Sequence, residues 1–290
     1  MKFRTTALAV AIAGIAAAPI ASAETVLSGI VEVGFSGSDA DDDPTTTDVD
    51  EGGLAVAAGD VFAGITSNHT MNSGLNAYGS LRYDLNGLSG AAFSDADSVY
   101  VGIKGGFGDV RLGEVPNAIE YGQVAGDLND IEGAVNGGLS YTGSFGPVGL
   151  GLSFSPENNQ DSFGAGVKFN FGGFAIGVGA GSTAEVDKLS AGASFSYAGA
   201  SIAAHMTNAS ADAGDADNIA VKVGYAISGV SIGVTAHMSD EADFDTKLRL
   251  DLGYDLGGNM NLNSRINSNT GAAGGGDDSM DWRIRLSKSF

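Results

Sequence analysis

The chain has 290 residues and no cysteine, with 14 basic and 35 acidic side chains for a formal charge of −21. The missing cysteine excludes disulfides, thiolate metal sites and cysteine nucleophiles, and the acidic balance excludes nucleic acid as a partner, since phosphate binding needs clustered Lys and Arg. Forty-six glycines against five prolines, in a chain that is 43% hydrophobic, argue against helices and fit short strands joined by turns.

Lys2 and Arg4 give a basic start, Ala7 to Ile20 is apolar, and Ala21-Ser22-Ala23 is a small-residue cleavage site. This pattern predicts a secretory signal peptide over 1–23 and a single domain over 24–290. Losing Lys2 and Arg4 takes the formal charge to −23. Export without cysteine suits a bacterial cell envelope. Beyond residue 23 there is no run of 18 apolar residues, so no transmembrane helix is predicted.

Alternating apolar and polar residues then recur to the end of the sequence, the period-2 signal of strands with two unlike faces. Val26–Phe35 reads as a first strand, followed by an acidic stretch from Asp39 to Glu51. Val61–Thr70, Leu75–Asn86, Ser98–Gly105 and Asp109–Glu114 follow. Next are Gly138–Phe145, Val148–Ser155, Ser162–Phe171, Phe174–Ser182, Lys188–Tyr197 and Ala200–Asn208. Asn218–Ile227, Val230–Met238, Thr246–Leu256, Met260–Asn269 and Met280–Phe290 complete sixteen strands. The last is the clearest: Met280, Trp282, Ile284, Leu286 and Phe290 share one face, and Asp281, Arg283 and Arg285 share the other.

Short glycine turns alternate with longer, often acidic connections, so one rim should be tight and the other ragged. That sorting, an even strand number and an aromatic closing the last strand predict an all-β fold: a transmembrane antiparallel β-barrel of sixteen strands. A closed sheet is required because hydrocarbon satisfies no N–H or C=O. Sixteen strands enclose more space than side chains fill, leaving an aqueous channel.

Ser98–Glu114 reads Ser-Val-Tyr-Val-Gly-Ile-Lys-Gly-Gly-Phe-Gly-Asp-Val-Arg-Leu-Gly-Glu. It resembles the hairpin of general Gram-negative outer-membrane porins, with the serine offset by one and Glu114 where those porins carry arginine. The resemblance implies homotrimers of sixteen-stranded barrels in the outer membrane, in contact with its lipid and lipopolysaccharide. It also implies a long third loop folded into the lumen, here Val115 to Asn136 with Glu120, Asp127, Asp130 and Glu132. The implied function is passive diffusion of ions and small hydrophilic solutes. A substrate-specific channel with a saturable site at the constriction is the alternative.

Beyond residue 23 the arginines are Arg82, Arg111, Arg249, Arg265, Arg283 and Arg285, all on the third, fifth and last three predicted strands. Alternation points them away from the apolar face, and closure of the barrel makes their strands one arc. Lys104 and Lys247 join it. A basic arc facing an acidic loop predicts a charged constriction, and rings of charge set ion preference. Acidic loops at the mouth favour cations while the arc opposes them; a cation preference is the expected balance.

Other signals carry less. Gly105 to Gly108 lacks the Lys-Ser/Thr of a nucleotide loop, so a hairpin turn is the better reading, and the same is read for Gly177 to Gly181. His205 and His237 are separated by a whole strand and predict no metal site. Calcium on the acidic loop Asp39–Glu51 is the one ion reading, against a solvated face. No cofactor is expected, and no nucleophile, base and orienting group can be assembled for an enzyme.

Overall fold

The computed structural model describes residues 23–38, 55–84, 96–122, 124, 135–156, 161–183, 186–211, 214–239, 246–270 and 279–290. The predicted signal peptide to residue 22, the acidic stretch 39–51, and Asp127, Asp130 and Glu132 lie outside these residues.

Sixteen antiparallel strands close into one barrel in which each strand pairs with its neighbours in sequence. They are β1 (Ala23–Ser38), β2 (Ala55–Thr70), β3 (Asn76–Asp84), β4 (Ala96–Gly105), β5 (Gly108–Val115), β6 (Val135–Phe145), β7 (Val148–Ser155) and β8 (Ser162–Phe171). The second half comprises β9 (Phe174–Thr183), β10 (Val186–Tyr197), β11 (Ala200–Ala211), β12 (Gly214–Ile227), β13 (Val230–Ser239), β14 (Thr246–Gly257), β15 (Met260–Thr270) and β16 (Ser279–Ser289). β1 meets β16 with Val33 opposite Leu286 and Gly34 opposite Arg285. Beyond that ladder, Gly29 N–H donates to the Phe290 carbonyl at 2.9 Å and Phe290 N–H donates back to Gly29 at 3.1 Å. Among the described strands no edge is left open, as a hydrocarbon environment requires.

Burial is inverted relative to a water-soluble domain. Leu152, Phe154, Phe163, Ile176, Leu189, Ile202, Val223, Leu252 and Ile284 are exposed, whereas Ser140, Ser153, Ser190, His205, Thr207 and Thr235 are buried. The alternation puts every apolar residue of this set on the outer wall and every polar one on the inner wall. A contiguous apolar exterior is untenable in water and matches a lipid-facing band. Phe145, Phe171, Phe174, Tyr197, Tyr225, Tyr254 and Phe290 are exposed near the tight-turn rim, an aromatic girdle at one end.

The tight rim is built from left-handed turn residues. Ala198 and Gly199 have φ of 48° and 85°, and Ser228 and Gly229 have 48° and 82°. Two successive positive φ values match the twist of the flanking strands in a two-residue hairpin.

Three expectations change. Only two residues separate β9 from β10, and two separate β11 from β12, because strand pairing continues where longer loops were expected. Gly177–Gly181 is no turn but the middle of β9, paired on both sides. The first two strands are longer than predicted, because β1 pairs with β2 from Ala23 to Ser36 and with β16 out to Ser38.

Candidate functional site on the inner wall

The inner wall carries the charge. On β16, Arg283 and Arg285 lie between β1 and β15: Ser36 and Gly34 oppose them on one side, Arg265 and Asn263 on the other. Arg265 in turn opposes Asp251 of β14. Asp251 takes two arginines, Arg265 Nε at 2.6 Å across the strands and Arg249 Nε at 3.0 Å along its own. Arg285 Nη1 pairs with Glu32 at 3.2 Å.

Two backbone features make the last pair possible. A Cβ at Gly34 would overlap the Ile284 carbonyl and lie 2.9 Å from Arg285 Cγ, so glycine lets the Arg285 stem lie across β1. The β1–β2 register shifts between Val31 and Val33, a bulge at Glu32 itself. Bulges re-aim the side chain they carry. Neither feature is announced by hydrophobic alternation, and sequence reading missed Glu32 for that reason; it missed Asp251 because the pairing with Arg265 depends on the β14–β15 register. The signal for Asp251 was its place between the outward leucines of Thr246–Leu256.

Arg283 forms no ion pair or hydrogen bond among the described residues. It lines a recess of about 270 Å³ with Arg265, Arg285, Glu32, Asp251 and Asn263.

The other predicted cations form a separate group. Arg111 holds Asp109 through Nη2 at 3.0 Å and Nε at 3.1 Å. Asp109 also accepts from the Tyr78 hydroxyl at 2.5 Å. Lys104 Nζ lies 5.2 Å from the Tyr78 ring centre, and Arg111 Cζ lies 5.1 Å from that of Tyr100. Arg82 stacks at 3.6 Å over Phe62 of β2. These residues sit on β2–β5, away from the β14–β1 cluster. Lys247 opposes His237 of β13, one inner position from Arg249. The arginines do keep to one arc, but Lys168, Lys188 and Lys222 add inner-wall charge on β8, β10 and β12. Glu114 falls in the irregularity between Gly113 and Val115 that ends β5, so register no longer fixes its face.

After β5 the chain turns inward onto the polar face of β7–β10. A 3-10 turn over Ala118–Gly122 packs there. Ala118 N–H donates to Ser153 Oγ at 2.9 Å, Ser190 Oγ donates to the Ile119 carbonyl at 2.7 Å, and Ser194 Oγ donates to Val124 O at 3.2 Å. The wall beneath is stripped of side chains. A Cβ at Gly179 would overlap the Ile119 carbonyl, and one at Gly166 the Ala118 carbonyl and Tyr121 Cβ. Val115 and Ile119 are completely buried and are, among the described residues, the largest side chains so enclosed. Glu120 rides on this turn, and burial pushes its carboxyl up to about 7 from an ordinary 4.5.

A closed sheet with an apolar exterior and a charged interior defines a membrane-spanning β-barrel. The chain belongs to the Gram-negative porin family, whose model matches residues 5–274, and its place is the outer membrane. A monosaccharide porin from a Halomonas species and the major outer membrane protein of Halomonas elongata are each 33% identical to it over 126 residues. Those matches cover 38% of this chain and 32% of each relative, so the chain aligns with about a third of their length. Among solved structures, the fold is shared with an anion-selective porin from Comamonas acidovorans at a TM-score of 0.71 and 18% identity, covering 93% of this chain and all of that one. It is shared with OmpT of Vibrio cholerae in its trimer form at a TM-score of 0.67 and 15% identity, covering 93% and 100%. OmpF of Salmonella typhi, in complex with daunomycin, gives a TM-score of 0.72 at 15% identity, covering 92% and 97%.

Proposed function

We propose that this chain forms a water-filled channel for passive diffusion of ions and small hydrophilic solutes across the outer membrane. The observation that carries the reading is the inverted burial around a closed sixteen-strand sheet. A barrel of that size leaves an aqueous lumen, and lumen-facing charge avoids the roughly 2–4 kcal/mol that arginine costs at the lipid midplane. The fold and family point to a channel rather than an enzyme.

The narrowest passage lies between the segment Pro116–Val124 and the β14–β1 arginines. The segment rests on β7–β10, about half the barrel's strands away from β16 and β1. Glu120 on that segment supplies the acidic side of the opening and Arg249, Arg265, Arg283 and Arg285 the basic side, which sets up a transverse field; Asp127, Asp130 and Glu132, which follow in the sequence outside the described residues, add to the acidic side in this reading. Arg82, Lys104, Arg111 and Lys247 extend the basic wall, and Glu114 lies at the root of the segment. Ion preference follows from the balance of these charges; acidic outer loops tip it to cations.

The assembly is a homotrimer embedded in lipid and lipopolysaccharide. The trimer form of the Vibrio cholerae protein, with the same fold, supports that stoichiometry. A substrate-specific channel is the second reading; the recess beside Arg283 favours it, and one relative bears the name monosaccharide porin.

Planar-bilayer recording of the full chain tests the proposal. Stable ohmic steps are expected, with a reversal potential in a salt gradient that marks cation preference. Bilayers that stay closed at high protein concentration refute the channel.

A further inference from the structure

We propose that the recess between β14, β15, β16 and β1 is a binding subsite for small hydroxy-carboxylates, with Arg283 as the group that grips the carboxylate. This rests on the channel reading and names a solute class for it.

The pairing pattern leads to Arg283. Its neighbours are committed: Arg249 and Arg265 share Asp251, and Arg285 holds Glu32. Arg283 has Arg265 directly across from it and Arg285 two residues further along its own strand. Like charges directly opposite one another destabilise a sheet. Asp281, two residues back on the same face of β16, accepts from Asn267 Nδ2 at 2.8 Å, and Ser36, the partner of Arg283 on β1, brings no charge. The wall instead leaves a guanidinium fork open beside a recess, where an incoming anion relieves the repulsion.

The lining sets the class of solute. Arg265, Arg283 and Arg285 face Glu32 and Asp251, one positive charge in excess. That excess suits a single carboxylate and disfavours a multiply charged anion, which the two wall carboxylates would repel. A guanidinium matches a carboxylate bidentately, with geometry that a chloride ion cannot use. Around the fork stand Asn263, Ser231 and the two carboxylates, which donate to or accept from hydroxyl groups. About 270 Å³ falls just below the span of roughly 300–1,000 Å³ typical of ligand pockets, so the solute is small. A hydroxylated monocarboxylate such as gluconate meets each requirement; a neutral sugar lacks the anion and a simple halide lacks the fork.

The test uses the full-length chain, folded in detergent for calorimetry and placed in bilayers for recording, with sodium gluconate as ligand and glucose and sodium chloride as comparisons. Gluconate is expected to bind saturably and to reduce ion current with the same half-saturation, while glucose does neither. Arg283→Gln should raise the half-saturation at least tenfold, and Lys168→Gln, on the far wall, should leave it unchanged. Arg283→Lys should recover less than half of the lost affinity, because it restores charge without the fork. Current that falls only in proportion to viscosity, equal effects of glucose and gluconate, or full rescue by lysine overturns the subsite while leaving the channel intact. Saturable binding without any conductance would instead refute the channel.

Discussion

Ser190 on β10 donates its hydroxyl hydrogen to the Ile119 carbonyl at 2.7 Å, joining the segment after β5 to a wall formed by residues far along the chain. Both groups are buried, and the carbonyl has no water to turn to. Ser190→Ala should weaken docking of the segment by about 1–3 kcal/mol, the cost of leaving a buried acceptor unmet. Barrel folding, read as a mobility change on unboiled gels, should persist while single-channel noise and protease cleavage after β5 both rise.

The glycines beneath the segment give a sharper version. Gly166→Val puts a branched side chain where the Ala118 carbonyl and Tyr121 Cβ now lie. The segment must lift from the wall. The expected outcome is a channel whose conductance differs from the parent by at least a quarter, with strand content by circular dichroism unchanged.

Glu120 predicts a pH dependence. Its folded carboxyl titrates at about 7, against an ordinary 4.5, because of burial. The docked turn therefore keeps a proton that a free carboxyl releases near 4.5. Docking is strongest below about 4.5, weakens as pH rises towards about 7, and is level beyond. The lumen also gains a negative charge over the upper part of that range. Current noise should rise between about pH 4.5 and 7, cation preference should rise with a midpoint near pH 7, and Glu120→Gln should remove both changes.

Asp251 neutralises parts of two arginines. Asp251→Asn frees Arg249 and Arg265 and should move the reversal potential in a tenfold salt gradient towards anions. Replacing Arg283 and Arg285 by glutamine should move it the other way. Unchanged potentials in both variants would place these residues outside the narrowest passage.

Ala198 occupies a left-handed turn position at φ 48°. Ala198→Gly should remove a backbone strain on the order of 1 kcal/mol and raise the temperature at which the unboiled gel band disappears. Gly199→Ala should lower it, since a Cβ there overlaps the Ala226 carbonyl.

Much of the barrel was legible because its signals are local. Alternation in Thr246–Leu256 and Met280–Phe290 marks two faces, and the glycine pairs mark turns. The inner-face arginines could be read by parity alone. What escaped is whatever depends on register between distant strands. That Gly34 opposes Arg285, and that a bulge re-aims Glu32, follow from how β1 pairs with β16 and β2. Gly166 reads as an ordinary strand glycine and Gly179 as part of a turn, until a segment from after β5 is laid on both. Strand extensions at β9–β10 and β11–β12 were hidden because Asp187 and Asp217 look like loop residues, though pairing carries through them.

The seam between β1 and β16 has a consequence for how the molecule is made. Every other strand pair joins sequence neighbours, whereas Gly29 and Phe290 bond across the seam from positions far apart in the sequence. Hairpins can assemble progressively, but an unclosed sheet would carry two raw edges into lipid. Closing the longest loop last concentrates the entropic cost in a single late event. Until then the growing sheet needs a surrogate edge, from a partner or from the membrane surface. Substitutions at Gly29 or Gly34 should therefore act first on the yield of assembled barrels.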